Sequence, residues 1–536
     1  MRRVEIYDTT LRDGAQSEGV SFSVADKLRI AHQLDGLGIH YIEGGWPGVN
    51  PKDILFFEEM KKSPLKSATL VAFGATRKGR NRPVDDPNLA ALLAAGTGVI
   101  TLFGKSWTLH VTDALGVSLE KNLEMISDSI VHLRAAGRRV FYDAEHFFDG
   151  YLANPDYALR TLAAADHAGA ERLILCDTNG GVMPWQVREI VEVVRKTLPQ
   201  AADAIGIHSH NDAEMAVANA LMAVDAGAMQ VQGTINGFGE RCGNANLCSV
   251  IPNLKLKMGI GCITDAQMGR LRDVSHFVND VANLVHNKRQ AYVGDSAFAH
   301  KGGVHVHAVR KQSATYEHVP PASVGNQQRI LVSDYGGTSN LRAMAEAVGH
   351  NLSDEQLKKI LAELKEKEHQ GFQFEGAEGS FELLMKKATG AHKPVFDLIG
   401  FRVMDDQGDG RPAASMAMIQ INVNDQIEET AATGSGPVNA LDRALRKALE
   451  KFYPALTAVH LLDYKVRVLE TGDGTQSKVR VLIESGDDRA RWTTVGVSEN
   501  IIEASWQALV DSIEYKLLCL DVRAKKKPPT KTAARK

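Results

Sequence analysis

Cysteine is scarce. The five present, Cys176, Cys242, Cys248, Cys262 and Cys519, form no C-x-x-C pair. That argues against a disulfide framework and for a reducing, cytoplasmic compartment. Apolar runs are short too. None reaches the length of a bilayer crossing, and the N-terminus enters a strand directly, so neither a membrane span nor a signal peptide is expected. Net charge is only −3, which gives no support for a nucleic-acid or membrane-surface partner. A glycine-rich phosphate loop is missing after the first strand, where TLRDGAQ stands instead; a doubly wound nucleotide-binding sheet would normally show one.

What the chain does have is length and a repeat. At 536 residues it exceeds a single core, so two or more domains are expected. From residue 4 to about 260, eight β-rich runs recur: VEIYDTT, YIEGG, ATLVAFG, VITLFG, RVFYDAEHF, RLILCDT, AIGIHSH and AMQVQGT. Helically spaced segments separate them, as in VADKLRIAHQLDGLG, where Leu28, Ala31, Leu34 and Leu37 share a drifting face. Apolar strands alternating with helices define a parallel sheet, and eight such units predict a (β/α)₈ TIM barrel over residues 1–264.

Residues 265–392 read as mainly helical linker subdomains. One predicted helix carries Leu271, Val274, Val278, Val281 and Val285 on a single face. A second opens with Ser353 and Gln356 at capping-box spacing, followed by Leu357, Ile360, Leu361 and Leu364. Residues 393–523 read as an α+β domain. AMIQINVN alternates strictly, and GSGPVNALDRALRKAL starts a helix after Gly436 with Pro437 at its first position. A similar unit at GVSENIIEASWQALVDSI suggests a weak internal repeat of two strand–helix halves. Residues 524–536, AKKKPPTKTAARK, read as a basic disordered tail.

Chemistry in such a barrel sits at the C-terminal ends of the strands. Polar residues gather there: Arg12 and Asp13, Glu43, Asp143 and Glu145, Asp177 and Thr178, His208 and His210, Thr234. Residues two apart on a strand point to one side, so His208 and His210 can aim two imidazoles at one point. With Asp13 they make a two-histidine, one-carboxylate set that leaves positions open for water or substrate. Asn244, in GERCGNAN, is either a fourth, oxygen-donating ligand or a helix N-cap in a glycine-rich turn. The mixed donors suit Mg²⁺, Mn²⁺ or Zn²⁺. Such an ion would polarise a carbonyl oxygen. Arg12 suits a carboxylate or a developing enolate, so a 2-oxo acid is the expected substrate class. Thr178 can donate a hydroxyl bond to the same carboxylate, or cap the next helix.

The segments DTTLRDGAQ, CDTNGG, GIHSHNDAEMAVANAL, GTINGFGERCGNA, FAHKGGVHVHA and TGSGPVNALDRAL occur in this order. Together they resemble the acyl-transferring branch of the DRE-TIM metallolyases: the isopropylmalate, homocitrate and citramalate synthases. EGGWPGVNPKD and FYDAEHFFDGY look most like the longer bacterial members that join pyruvate to acetyl-CoA and then hydrolyse the thioester. The resemblance implies Asp13, His208 and His210 on the metal with Asn244 near it. Arg12 and Thr178 would hold the oxo acid, and Glu145 would sit beside the reacting carbons. The turn with Gly237, Gly239 and Glu240 matches the acetyl-CoA region. His305 matches a histidine proposed to help deprotonate the acetyl methyl group; Tyr316 is a further candidate for proton transfer. The family often shows H-x-D-G there, whereas this chain reads His305-Val306-His307-Ala308. A structural histidine remains the alternative for His305.

By the same resemblance, residues 393–523 form a regulatory domain that binds an end-product amino acid at a homodimer interface. Isoleucine fits the pyruvate reading. Rival readings are 2-oxoisovalerate with leucine feedback, 2-oxoglutarate, a carbon–carbon lyase of the hydroxymethylglutaryl-CoA type, and a non-catalytic metabolite sensor. Trp46, just past the strand YIEGG, is expected either to close the oxo-acid pocket or only to pack on the next helix.

Overall fold

The computed structural model describes residues 3–331, 337–347, 351–390, 392–406, 414–469, 477–487 and 490–526. The chain divides into two compact units. Met1–Phe298 with Glu317–Gln328 form the first, and Ala299–Tyr316 with Arg329–Lys536 the second.

The first unit contains the expected barrel. Eight parallel strands close in sequence order: β1 (Glu5–Asp8), β2 (Tyr41–Gly45), β3 (Thr69–Ala75), β4 (Val99–Lys105), β5 (Arg139–Glu145), β6 (Arg172–Asp177), β7 (Ile205–Ser209) and β8 (Gln230–Gly233). β8 pairs back onto β1, with Tyr7 opposite Gln232. Strand alternation separates two environments. Ile6, Ile42, Ala72, Ile100, Val140, Ile207 and Val231 are buried under the helices, each large one contributing about 1.5–3 kcal/mol. Tyr7, Tyr41, Val71, Val99 and Phe141 form a separate cluster inside the ring. Tyr41 meets Phe141 edge-on at 5.1 Å. Further along the strands the inward positions are mostly polar, with Glu43, Thr101, Asp143, His208 and Gln232, and Phe73 the apolar exception. The barrel is thus plugged by aromatics below and polar above, which sets the depth of the site.

The helices follow their local signals. α1 (Val24–Leu37) opens with a Ser23–Asp26 capping box and ends at Gly38, whose φ of 90° suits glycine. It buries Ile30, Ala31, Leu34 and Leu37, while Leu28 drifts to half-burial. α2 (Pro51–Lys62) and α3 (Pro87–Ala94) both start on a capping Asn or Asp followed by proline. α4 (Leu119–Ala135) follows β4. A bulge between Glu43 and Gly45 ends β2. Gly45 has φ 151°, and a Cβ there would lie 2.2 Å from Asp53. Asp53 accepts the Trp46 N–H at 2.8 Å and pairs with buried Lys27, so α2 fixes the direction of Trp46.

One expectation fails in this unit. The helix Leu271–Val281 buries Leu271, Val274 and Val278, but Val285 is 95% exposed. Asn283 takes a left-handed conformation (φ 56°) just past the helix and ends the periodic face before Val285.

The second unit holds the helix Asp354–His369, with the expected Ser353–Gln356 capping box and Leu357, Ile360 and Leu364 buried. Its C-terminal part contains two antiparallel three-stranded sheets, each followed by a helix. Asp397–Asp406, Ala414–Val423 and Gln426–Gly434 precede Pro437–Leu449. His460–Val468, Val479–Gly486 and Arg491–Ser498 precede Ile501–Lys526. The internal repeat is therefore larger than expected, three strands and a helix per half. The predicted tail lies outside the described residues except for 524–526, which continue the last helix. Among the described residues no helix is long and apolar enough to cross a membrane.

Candidate metal and active site at the barrel mouth

Three predicted ligands meet above the aromatic plug. His208 Nε2 lies 3.4 Å from His210 Nε2 and 3.4 Å from Asp13 Oδ2, and His210 Nε2 lies 3.9 Å from the same oxygen. All three side chains are buried. The chain itself selects the His208 tautomer. Gln232 spends its N–H on Asp143 Oδ1 at 3.1 Å, so its carbonyl oxygen accepts from His208 Nδ1 at 3.0 Å. The proton on Nδ1 leaves a lone pair on Nε2, facing the other ligands. Burial pushes the His208 imidazolium down to about 3, so the ring is neutral. Burial disfavours charge on Asp13, but the Arg12 guanidinium outweighs it and holds its carboxyl below the usual range.

The donor set fits a divalent cation. Two neutral imidazoles and a carboxylate converge, with the lone pair of His208 Nε2 and the Asp13 carboxylate facing the same point. Asn244 adds a buried Oδ1 with no hydrogen-bonding partner among the described residues. Its Nδ2 donates to Phe238 O at 3.0 Å, and its side-chain amide also hydrogen-bonds the Asp13 carboxylate. It is not the helix cap: Asn246 caps Leu247–Pro252, accepting from Cys248 N at 3.0 Å.

Arg12 is held rigidly beside this cluster. Its Nε donates to Glu43 at 2.6 Å, and its guanidinium lies 3.7 Å from the Phe73 ring centroid. Glu43 also accepts from Tyr7 OH at 2.5 Å. Burial raises the Glu43 carboxyl despite Arg12. Burial and the charge of Glu43 raise the Asp143 carboxyl well above its ordinary range.

A cavity of about 200 Å³ opens over these groups, with Trp46, Phe73, Phe103, Glu145 and Thr178 among its walls. Trp46 lies edge-on to Phe73 and Phe103 at 5.8 and 5.3 Å and donates Nε1–H to Asn88 at 2.7 Å. Glu145 pairs with Lys105. Thr178 is not the cap of the next helix, which starts after Met183. Its Oγ1 accepts the His146 N–H at 2.9 Å, which leaves its proton to donate. Glu240 lines the same cavity. Gly237 and Gly239 shape the turn beside Asn244: a Cβ on Gly239 would lie 2.1 Å from Asn244 Nδ2. His305 and Tyr316 belong to the second unit, where their rings stack at 4.1 Å. Sequence reasoning missed Gln232, Tyr7, Lys105 and the Phe73–Phe103 wall. Their inward alternation on the strands is the signal that marks them.

A closed barrel with this donor set at its mouth is matched by the family model described as HMGL-like, over residues 3–278. The homocitrate synthase post-HMGL domain-like model matches residues 292–371, and the LeuA allosteric (dimerisation) domain model matches 375–517. The chain is 60% identical to an (R)-citramalate synthase of Geobacter sulfurreducens, covering 96% of this chain and 98% of that protein. It is 53% identical to those of Synechocystis sp. (96% and 96%) and Aquifex aeolicus (96% and 98%). The chain belongs to the HMGL-like metallolyases and, within them, to the (R)-citramalate synthase family.

Proposed function

We propose that the chain condenses pyruvate with acetyl-CoA and hydrolyses the resulting thioester, giving (R)-citramalate and free CoA. The observation that carries this reading is the buried Asp13–His208–His210 cluster beside a braced arginine, in a chain 60% identical to an (R)-citramalate synthase. Asp13, His208 and His210 would hold Mg²⁺, Mn²⁺ or Zn²⁺, with Asn244 Oδ1 beside them. When bound, the ion supplies Lewis-acid polarisation of the ketone oxygen.

The chain's own residues do the rest. Glu43 takes Nε of Arg12, so the terminal N–H groups are left for the oxo acid. Thr178 donates its hydroxyl proton to the substrate carboxylate. Trp46, Phe73 and Phe103 limit the volume beside the ketone and favour a methyl substituent. Glu145, fixed by Lys105, lies beside the reacting carbons. The acetyl methyl group gives its proton to His305, with Tyr316 as its stacked partner in proton transfer. The new carbon–carbon bond joins that methyl carbon to the ketone carbon, whose oxygen takes a proton. Water then cleaves the thioester and CoA leaves as the thiol. The turn Gly237–Glu240 receives the acetyl-CoA end that reacts. The C-terminal domain dimerises the chain in the cytoplasm and binds isoleucine as a feedback inhibitor.

The test is release of free CoA thiol by the purified chain with Mg²⁺ or Mn²⁺, acetyl-CoA and a panel of 2-oxo acids, with and without isoleucine or leucine. Release with pyruvate, suppressed by isoleucine, is expected. Release only with 2-oxoisovalerate would move the reading to isopropylmalate synthesis, and none with any acid would refute a condensing enzyme.

A further inference from the structure

A second opening adjoins the reacting cavity, and nothing above uses it. It is a groove of about 640 Å³ between the loops after β3 and β4, with Met125 of α4 in its wall. Phe103 lines both spaces, and Lys105, which lines the groove, pairs with Glu145 of the reacting cavity. The loop after β3 reads TRKGRNRP, with cations at Arg77, Lys78, Arg80 and Arg82. Two of these are neutralised. Arg77 is buried, pairs with Glu124 and Asp128, and donates to the carbonyl of Asn81 at 3.0 Å. Arg82 pairs with Asp85. Asp86 accepts from Lys78 N at 3.0 Å and Asn81 Nδ2 at 2.9 Å. The loop is therefore held around a buried guanidinium and a buried carboxylate. Lys78 and Arg80, both exposed groove residues, have no carboxylate partner among the described residues. A fixed loop that presents two unneutralised cations beside a reaction cavity is suited to a polyanion.

We propose that this groove binds the nucleotide end of the thioester substrate, Lys78 and Arg80 pairing with the phosphates of the 3′-phosphoadenosine 5′-diphosphate of coenzyme A. The pantetheine arm would then enter the reacting cavity past Phe103 and Lys105. This rests on the acetyl-CoA reading above. The experiment compares acetyl-CoA with S-acetylpantetheine, which has the same reacting end and no phosphates. In the Lys78→Ala/Arg80→Ala variant, KM for acetyl-CoA should rise about tenfold, as expected for two exposed charge contacts. KM for pyruvate should stay within twofold. The advantage of acetyl-CoA over S-acetylpantetheine should shrink by the same factor, and the rise of KM with ionic strength should flatten. An unchanged KM for acetyl-CoA, or an equal loss with both thioesters, would overturn the assignment. Failure of the activity reading shows differently, as no thiol release by the unaltered chain with either thioester. The groove is then judged by calorimetry with adenosine 3′,5′-bisphosphate. About tenfold weaker binding to the variant supports it, and equal affinity for both proteins refutes it.

Discussion

Gln232→Met separates metal binding from mere packing. The side chain keeps its length but loses both polar bonds, 3.0 Å to His208 and 3.1 Å to Asp143, in a fully buried setting. An unsatisfied buried donor costs about 1–3 kcal/mol. Without metal, His208 can escape that cost by moving its proton from Nδ1 to Nε2. That move blocks the nitrogen that faces Asp13 and His210, so the cost returns when an ion binds. We expect Mn²⁺ affinity to fall about 10- to 100-fold, the scale for losing an outer partner of a ligating histidine. The thermal midpoint of the metal-free protein should fall only slightly. Calorimetric titration of the metal-free variant with Mn²⁺ measures this. Gln232→Glu, which restores an acceptor opposite Nδ1, should recover most of the affinity. If Gln232→Met folds and binds Mn²⁺ within twofold of the unaltered chain, the tautomer argument is wrong.

Arg12→Met strands the buried Glu43 carboxylate, and breaking such a pair costs about 3–5 kcal/mol when the survivor stays charged. Glu43 can take up a proton instead, so urea unfolding should show a smaller loss at pH 5 than at pH 8; a pH-independent loss would count against the pair. Asp8 is fully buried, and burial raises its carboxyl to about 7. Folding therefore favours its protonated form, and that contribution is full below about 4 and lost as pH rises to about 7. Relative to Asp8→Asn, the unaltered chain should lose on the order of a few kcal/mol of stability over that window, read from paired denaturation curves; parallel curves would refute the raised carboxyl. Trp46→Ala opens the wall that Trp46 forms with Phe73 and Phe103. Its turnover with 2-oxobutyrate and 2-oxoisovalerate, relative to pyruvate, should rise about tenfold, and no relative gain would remove Trp46 from specificity.

The barrel was legible because each strand is a nearly continuous apolar run between helices, a pattern with few other solutions. The three candidate metal ligands were legible because alternation sends His208 and His210 one way and Asp13 follows β1, which only β8 separates from β7 in the ring. Gln232 carried no such flag. A neutral amide inside QVQG looks like any strand residue until its partners are known. Val285 shows the limit of periodicity: the spacing continues past Val281, but one left-handed Asn283 ends the helix. The C-terminal halves were under-read for a related reason. Gln426–Gly434 and His460–Val468 keep one face exposed, so they lack the apolar density that marked the barrel strands. His305 and Tyr316 entered only through the family resemblance. No spacing rule links them to the barrel ligands.

The charges at the mouth also bear on which substrates fit. Arg12 balances Glu43, Lys105 balances Glu145, and Arg241 balances Asp212. Burial and the charge of Glu43 push the Asp143 carboxyl up, toward its uncharged form, and burial keeps His208 neutral. Among the three metal-facing residues Asp13 carries the one negative charge. A dication reverses that sign, and a monoanionic 2-oxo acid then brings this cluster back to neutral, whereas a dianion such as 2-oxoglutarate leaves it negative. Because uncompensated charge is costly in a buried site, metal and oxo acid should strengthen each other's binding by the same factor. Pyruvate affinity should therefore rise on adding Mg²⁺, and Mg²⁺ affinity should rise equally on adding pyruvate. Titrations in both orders that give independent affinities would show that the charge balance does not govern the site.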